Sequence, residues 1–334
     1  MQVVVTGGAG FIGSHLVELL LHQGHAVHVI DDLSTGSVSN IAAFMEHPKF
    51  RFDKADIVTW DGLWAAVESA DRIYHLAAVV GVRRVLQDPV RVLATNIAGT
   101  ERLLRAALAG GWQPRFIFAS TSEVYGFSPS GRLRESDDLV FKAGSEARWS
   151  YAVTKLAGEH CVSAYAREHK LPVAILRLFN TVGPRQSPEY GMVLPNFVRQ
   201  AVRGLPITVH GDGKQTRSFC DVRDTVRMIA ELGETGLSVG EIVNVGNDQE
   251  ITINDLAELT RRLAGSRSEI RHLSHAEAYG EDFADVTHRC PDLTRLNTII
   301  DFKPRWTLSQ TIEQLIDHET HHSTHAQRAR VAAL

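Results

Sequence analysis

Two short stretches place side chains where they can do chemistry together. In "YAVTK", Tyr151 and Lys155 stand four residues apart, on one face if the segment is helical. An ammonium beside a phenol, with a further cation near, lowers the phenol's pKa so that the phenolate acts as a base near neutrality. Such a base suits removal of a hydroxyl proton while hydride leaves the same carbon. As a bare pattern, Y-x-x-x-K fits an ordinary amphipathic helix surface as well. The second stretch, "STSEVYG", follows the apolar run "RFIFA" and puts Thr121, Ser122 and Glu123 at the end of a buried strand. A carboxylate there is costly unless it works or is paired.

A third stretch points to a dinucleotide. "VVVTGGAGFIGSHL" sets Gly7, Gly10 and Gly13 at G-x-x-G-x-x-G spacing between a strand and the mouth of a helix. Gly7 permits the tight turn, Gly10 lets the backbone approach a pyrophosphate, and Gly13 lets helix and strand pack closely. Asp31 and Asp32 close the next strand about twenty residues on, where a carboxylate binds the adenosine ribose hydroxyls. A carboxylate there repels a 2′-phosphate, so NAD is expected rather than NADP. Asp56 ends the third strand and is either a partner for the adenine amino group or a strand-end cap.

These residues need a scaffold that brings strand ends together. "QVVVT", "AVHVID", "FRFDKAD", "RIYHLAA", "RFIFAS" and "VAILRLF" alternate with helical stretches, the pattern of βαβ units in a parallel sheet covered on both faces. The expected fold class is α/β, a Rossmann-type doubly wound parallel sheet with a smaller, interleaved C-terminal substrate lobe. Residues 1–178, with a returning segment near 220–250, form the first part; 179–219 and 251–315 form the lobe; 316–334 form a polar tail. After Asn180 the rhythm breaks into Pro- and Gly-punctuated pieces, and no internal repeat is present. The tail sets His318, His322 and His325 at helical spacing, but without a carboxylate or Cys scaffold no metal site is expected.

The 334-residue chain has a formal net charge of −4, 44% hydrophobic and 22% charged residues, an ordinary globular composition. It has no general pull toward nucleic acid or an anionic membrane, so an anionic ligand needs a local cluster of cations. Cys161, Cys220 and Cys290 are odd in number, widely spaced and without C-x-x-C pairing, which points to reduced thiols and a cytoplasmic setting. The first strand begins straight after Met1, and no apolar run approaches the roughly eighteen residues needed to span a bilayer.

"TGGAGFIGSHL", "DDLSTG", "YHLAA", "STSEVYG", "YAVTK", "LRLFNTVGPRQ" and "GDGKQTRSF", in that order over residues 1–315, resemble the extended short-chain dehydrogenase/reductase family that modifies nucleotide sugars. The resemblance implies a Rossmann domain holding NAD, a smaller lobe holding a UDP-sugar, and a homodimer. It maps the catalytic triad onto Thr121, Tyr151 and Lys155, and places Asn96 where the family keeps an Asn in a central helix; a packed, helix-distorting Asn fits equally well. Phe11, Ile12, Ile57, Leu76, Ala77 and Ala78 complete the expected NAD surface. Asn180, Arg185, Val193, Arg217 and Arg289 are the expected substrate contacts, Arg289 on the diphosphate and Arg217 on carboxylate or phosphates. For Arg185 a surface salt bridge is an even alternative.

Members of the family share oxidation of the sugar at carbon 4 and then diverge. The pair Ser122-Glu123 after Thr121 is similar to that of UDP-glucuronate decarboxylases, and GDP-mannose 4,6-dehydratases show it too. "ARWSYAVTK", "GKQTRSFCDVRD" with Ser218 after Arg217, and "AYGEDFADVTHRCPD" resemble the decarboxylase domain of the bifunctional aminoarabinose-pathway enzyme. The implied activity is decarboxylation of UDP-glucuronate to UDP-xylose. "YAVTKLAGE" is closer to epimerases and dehydratases, which keeps a UDP-glucose or UDP-glucuronate 4-epimerase as the alternative, ahead of a 4,6-dehydratase. A non-catalytic NAD sensor on the same fold has no need of Thr121, Tyr151 and Lys155 together.

Overall fold

The computed structural model describes residues 1–80, 88–127, 131–141, 149–188, 192–236, 239–274, 277 and 286–332, the last eleven of these as backbone only. The start of "ARWSYAVTK" before Trp149, Gly191, most of "AYGEDFADVTHRCPD" and the side chains of His322 and His325 lie outside the described residues.

The apolar runs rich in Val, Ile and Phe are strands because β-branched and aromatic side chains suit a pleated surface buried on both faces. They are β1 (Gln2–Thr6), β2 (Ala26–Asp31), β3 (Phe50–Lys54), β4 (Arg72–His75), β5 (Arg115–Thr121) and β6 (Val173–Leu178). Short strands follow: β7 (Thr181–Val182), β8 (Ile207–His210), β9 (Thr216–Ser218), β10 (Cys220–Asp221), β11 (Ile242–Val245), β12 (Glu250–Thr252), β13 (Ile270–Leu273) and β14 (His288–Arg289). The helices are α1 (Phe11–His22), α2 (Leu63–Val67), α3 (Pro89–Ala109), α4 (Ser150–His169), α5 (Val193–Val202), α6 (Val222–Glu234), α7 (Ile253–Leu263), α8 (Thr294–Ile299) and α9 (Leu308–Ala332).

Seven strands form one parallel sheet in the order β11-β6-β5-β4-β1-β2-β3, which is the expected doubly wound arrangement. Strand order reverses between β1 and β4, and the crevice at the carboxyl ends there is where ligands bind such sheets. Leu16 and Leu20 of α1 and Val226 and Ile229 of α6 cover one face, against Val3 and Val5. Leu103 and Leu104 of α3 and Val162 of α4 cover the other, against Phe116 and Phe118. Asp88 caps α3, its carboxylate accepting from Arg91 N, with Pro89 in the first turn, the pairing that starts a helix cheaply.

A second core lies outside the large sheet. Leu194, Phe197 and Val198 of α5, Leu256 of α7 and Ile312 and Leu315 of α9 pack around Ile207 and Val209 of β8. Two small sheets, β12-β9-β14 and β13-β8, edge it. Strand β14 is the element that carries Arg289 back toward the end of β5.

Candidate active site

At the carboxyl ends of β1, β2, β4, β5 and β6 a single cleft runs from the Gly-rich turn to the second core. Gly7 follows β1 with φ +74°, and a Cβ there would stand 2.7 Å from Ala77 N, so only glycine fits. Gly13 lies in the first turns of α1, where a Cβ would clash with Gly7 O. Helix α1 begins at Gly10 with neither a side-chain cap nor an acidic residue in its first turn, which leaves its N-terminal N–H groups for an anion.

Asp31 holds this loop in place. Its carboxylate accepts from Ala9 N at 2.9 Å and from Leu33 N at 2.8 Å, and burial pushes its pKa up despite those bonds. Asp32 accepts from Ser34 N and Asp56 from Val58 N, each at 2.8 Å, and both line the cleft. Asp56 is thus a strand-end turn residue and a cleft residue at once. Phe11, Ile12, Ile57, Leu76, Ala77 and Ala78 also line it. These features fit a dinucleotide: a cradle that a Cβ would fill, an open helix N-terminus and carboxylates at the β2 end.

Strand β5 delivers the reactive groups. The Thr121 hydroxyl accepts from Glu123 N at 3.2 Å and so caps the short 3₁₀ turn Ser122–Tyr125. The turn projects Ser122 and Glu123 into the cleft instead of continuing the strand. Tyr151 and Lys155, both on α4, face the same space. Lys155 is 3% exposed; its Nζ donates to Ala119 O at 2.7 Å and lies 4.8 Å from the centre of the Phe118 ring. Burial lowers its pKa to about 7, against the opposing charge of Glu159.

The Tyr151 phenol is raised, first by burial, then by the charge of Glu123, while a hydrogen bond with Thr121 works the other way. The protein's own groups therefore do not hold it low, contrary to the expectation drawn from Lys155, whose ammonium is turned to the Ala119 carbonyl. Oxidised NAD, when bound, would supply a positive charge that opposes this effect.

Glu123 is paired. Arg289 Nη1 donates to Glu123 Oε1, and the two side chains are 8% and 26% exposed. Arg289 lines the cleft, but its charge is shared with this carboxylate, so it is not simply the diphosphate holder expected. Asn180 also lines the cleft, with Nδ2 donating to Ser218 O at 2.9 Å.

Four sequence candidates are placed elsewhere. Asn96 uses its amide on Val79 N, Val79 O and Thr154 Oγ1, and so ties the segment after β4 to α4 as a packed Asn. Arg185, at φ +67°, donates to Glu18 at 2.6 Å and to Ser14, which straps its loop onto α1; the salt-bridge alternative is the one found. Val193 packs into the second core, and its neighbour Met192 lines the cleft instead. Arg217 donates to Thr216 O at 2.7 Å and stands beside Arg289 in the β9–β14 register, off the cleft wall. Ser34, Thr35 and Gln186 line the cleft too; they sit inside "DDLSTG" and "GPRQ", whose composition marks them as loops without saying which side chain turns inward. Among the described residues no group of three potential metal ligands occurs, and no helix is long and apolar enough to cross a membrane.

Comparison with known proteins agrees with this geometry. Residues 3–246 match the NAD dependent epimerase/dehydratase family. A UDP-N-acetyl-alpha-D-glucosaminuronate decarboxylase of Bacillus cytotoxicus is 36% identical, over 94% of this chain and 96% of its own. UDP-glucuronic acid decarboxylase 1 of Xenopus tropicalis is 34% identical, over 95% of this chain and 72% of its own. The crystal structure of UDP-glucuronic acid 4-epimerase from Bacillus cereus, in complex with UDP-glucuronic acid and NAD, has a TM-score of 0.86 and 31% identity, over 96% of this chain and 100% of that one. With the Gly-rich cradle, the aspartates closing β2 and the Thr121, Tyr151 and Lys155 cluster in one cleft, the match over most of its length makes this chain a member of the NAD-dependent epimerase/dehydratase family.

Proposed function

We propose that the protein is a NAD-dependent UDP-glucuronate decarboxylase that forms UDP-xylose. The observation that carries this reading is the Glu123–Arg289 pair set in the cleft beside Tyr151. The Gly7–Gly13 cradle, Asp31 and Asp32 would hold NAD, which would supply the hydride acceptor for carbon 4 and the donor that restores it. Tyr151 takes the carbon 4 hydroxyl proton, and Thr121 orients that hydroxyl. Oxidation makes the sugar a β-keto acid; the bond from carbon 5 to the carboxylate then breaks, CO2 leaves, and its electron pair goes to the carbon 4 oxygen as an enolate. Tyr151 and Thr121 face that oxygen with hydrogen-bond donors as its charge develops. A solvent proton then adds at carbon 5 as the enolate collapses to the ketone, and return of the hydride to carbon 4, with the Tyr151 proton going back to the carbon 4 oxygen, gives UDP-xylose.

Charge placement explains why CO2 is lost. A substrate carboxylate beside Glu123 meets a like charge, while the cation of Arg289 is already shared. Loss of CO2 relieves the repulsion, so the interaction is less unfavourable in the transition state than in the ground state. Curated relatives named as decarboxylases support this reading. A UDP-uronate 4-epimerase is the second reading, favoured by the likeness to the Bacillus cereus epimerase. In that case the carboxylate is held while the keto sugar turns.

The division of labour that goes with this is NAD on residues 1–178 and the returning 220–250 segment, and the UDP-sugar on 179–219 and 251–315. A homodimer belongs to the same proposal. Val90, Leu93 and Ile97 are exposed along one face of α3, and Val153 is exposed on α4, which packs against it. Apolar side chains at that spacing on paired helices suit a second copy of the chain. A cytoplasmic setting is supported by the free thiols of Cys161, Cys220 and Cys290.

The test is incubation with UDP-glucuronate, UDP-N-acetylglucosaminuronate and UDP-glucose, read by mass spectrometry. Loss of the mass of CO2 from a uronate supports decarboxylation. An isobaric product of altered chromatographic mobility supports the epimerase, and no change in any substrate overturns both.

A further inference from the structure

Against the end of β5, beside the cleft that Ser120 lines, lies a buried ionic cluster that the proposed reaction does not use. Glu159 follows Lys155 by one helical turn of α4 and is 3% exposed. Arg177 of β6 grips it with two contacts, Nε to Oε1 at 3.0 Å and Nη2 to Oε2 at 2.8 Å. The Ser120 hydroxyl donates to the same Oε1 at 2.5 Å. Ser120 is the residue between Ala119, whose carbonyl receives the Lys155 ammonium, and Thr121, whose hydroxyl meets Tyr151. Arg177 is itself fixed, its guanidinium 4.8 Å from the centre of the Tyr125 ring, and Tyr125 donates to Asn244 Oδ1 at 2.8 Å.

We propose that Glu159 is the positioning residue of the catalytic base: clamped between Arg177 and Ser120, its carboxylate fixes the end of β5 that carries Ala119 and Thr121, and sets a negative charge one turn from Lys155. Two buried cations, Lys155 and Arg177, thus depend on one buried carboxylate. Splitting such a group is costly because a charge is left without its partner. Burial works against the Lys155 ammonium, and Glu159 is the group that opposes that effect. The other ionisable groups around Lys155 do not replace it. Tyr151 is neutral until it acts, His75 at the end of β4 is kept neutral by burial, and Glu123 is engaged by Arg289. Arg177, on β6, is spent on Glu159.

The proposal rests on Tyr151 and Lys155 being the base pair of the reaction, and its test separates that reading from its own. The full chain is labelled with ¹⁵N-lysine, Lys155 is assigned by Lys155→Met, and its titration is followed by NMR without substrate. The pH profile of kcat is then measured with whichever UDP-sugar the unmodified protein turns over. In Glu159→Gln the Lys155 titration moves down by on the order of one unit, and the kcat profile moves with it. Ser120→Ala keeps the charge and leaves the Lys155 titration in place, but lowers kcat several-fold with KM unchanged. Glu159→Asp recovers the titration better than the rate. If Glu159→Gln does not fold, Glu159→Gln with Arg177→Met removes the pair without stranding the arginine and carries the same expectation. A folded variant whose Lys155 titration and kcat profile match the unmodified protein overturns the proposal. An unmodified protein that turns over no UDP-sugar overturns the reaction instead.

Discussion

Arg289 on β14 donates to Glu123, 166 residues earlier in the chain and in the 3₁₀ turn that follows β5, so the small β12-β9-β14 sheet contributes a cation to the end of the large sheet. The pair answers the cost of a carboxylate at a strand end: Glu123 is matched by a guanidinium and still faces the cleft. It also couples two chemistries, since the charge of Glu123 raises the Tyr151 phenol as well as facing the substrate.

Glu123→Gln tests that coupling. The amide keeps an acceptor for Arg289 but removes the charge that repels the substrate carboxylate, so CO2 release falls by about 10²-fold while carbon 4 oxidation, followed as NADH formed in a single turnover, persists. Because Glu123 raises the phenol, its removal lowers it, and the limb of the kcat/KM profile set by Tyr151 moves to lower pH. CO2 release at the original rate assigns Glu123 to structure alone.

Gly7→Ala tests the cradle. The residue is left-handed at φ +74°, and the added methyl meets Ala77 N at 2.7 Å, so the β1 turn and the start of β4's following loop must separate. A loss of roughly 1–3 kcal/mol in stability is expected. NAD binding, measured by calorimetry on the folded variant, weakens by at least about 10-fold, which corresponds to roughly 1.4 kcal/mol. Unaltered NAD affinity removes this turn from the cofactor site.

Much of this was legible in the sequence because the signals are local. Gly7, Gly10 and Gly13 are bound to one turn, and Tyr151 and Lys155 to one helix, so spacing alone places them. The misplacements are long-range. Arg185 belongs to a loop whose partners, Glu18 and Ser14, lie on α1, more than 160 residues away. Arg289 and Arg217 are adjacent across β9 and β14, and nothing in their local patterns says which of the two turns into the cleft. Asn96 fits two roles from its helix context, and only the positions of Val79 and Thr154 decide between them.

Ile97→Arg tests the apolar face of α3. Ile97 is 42% exposed, one helical turn on from the exposed Leu93, so the change disturbs little in one copy of the chain. If that face joins two copies, a cation pair brought together across it shifts the protein to monomer, seen by sedimentation, with the melting temperature of the monomer fraction still cooperative. A variant that sediments as the unmodified protein does shows that the copies, if joined, meet elsewhere.

His75 makes the fold acid-sensitive. Its ring is 1% exposed at the end of β4, bonded to Thr6 Oγ1 at 2.7 Å and Thr100 Oγ1 at 3.0 Å, and burial with the nearby Lys155 charge lowers its pKa from 6.5 to about 3. Below pH 6.5 the unfolded chain takes up a proton that the folded chain refuses until about pH 3. Stability therefore falls as pH falls through that window, and His75 contributes no slope above it. The slope approaches about 1.4 kcal/mol per pH unit for one proton. His75→Asn costs stability at neutral pH, because Thr6 and Thr100 lose a partner, but removes this slope. Between pH 6.5 and about pH 5, urea unfolding shows the unmodified protein losing about 2 kcal/mol more than the variant. Equal losses in the two proteins mean that His75 already takes its proton in the folded state, and that the Thr6–His75–Thr100 chain does not hold it neutral.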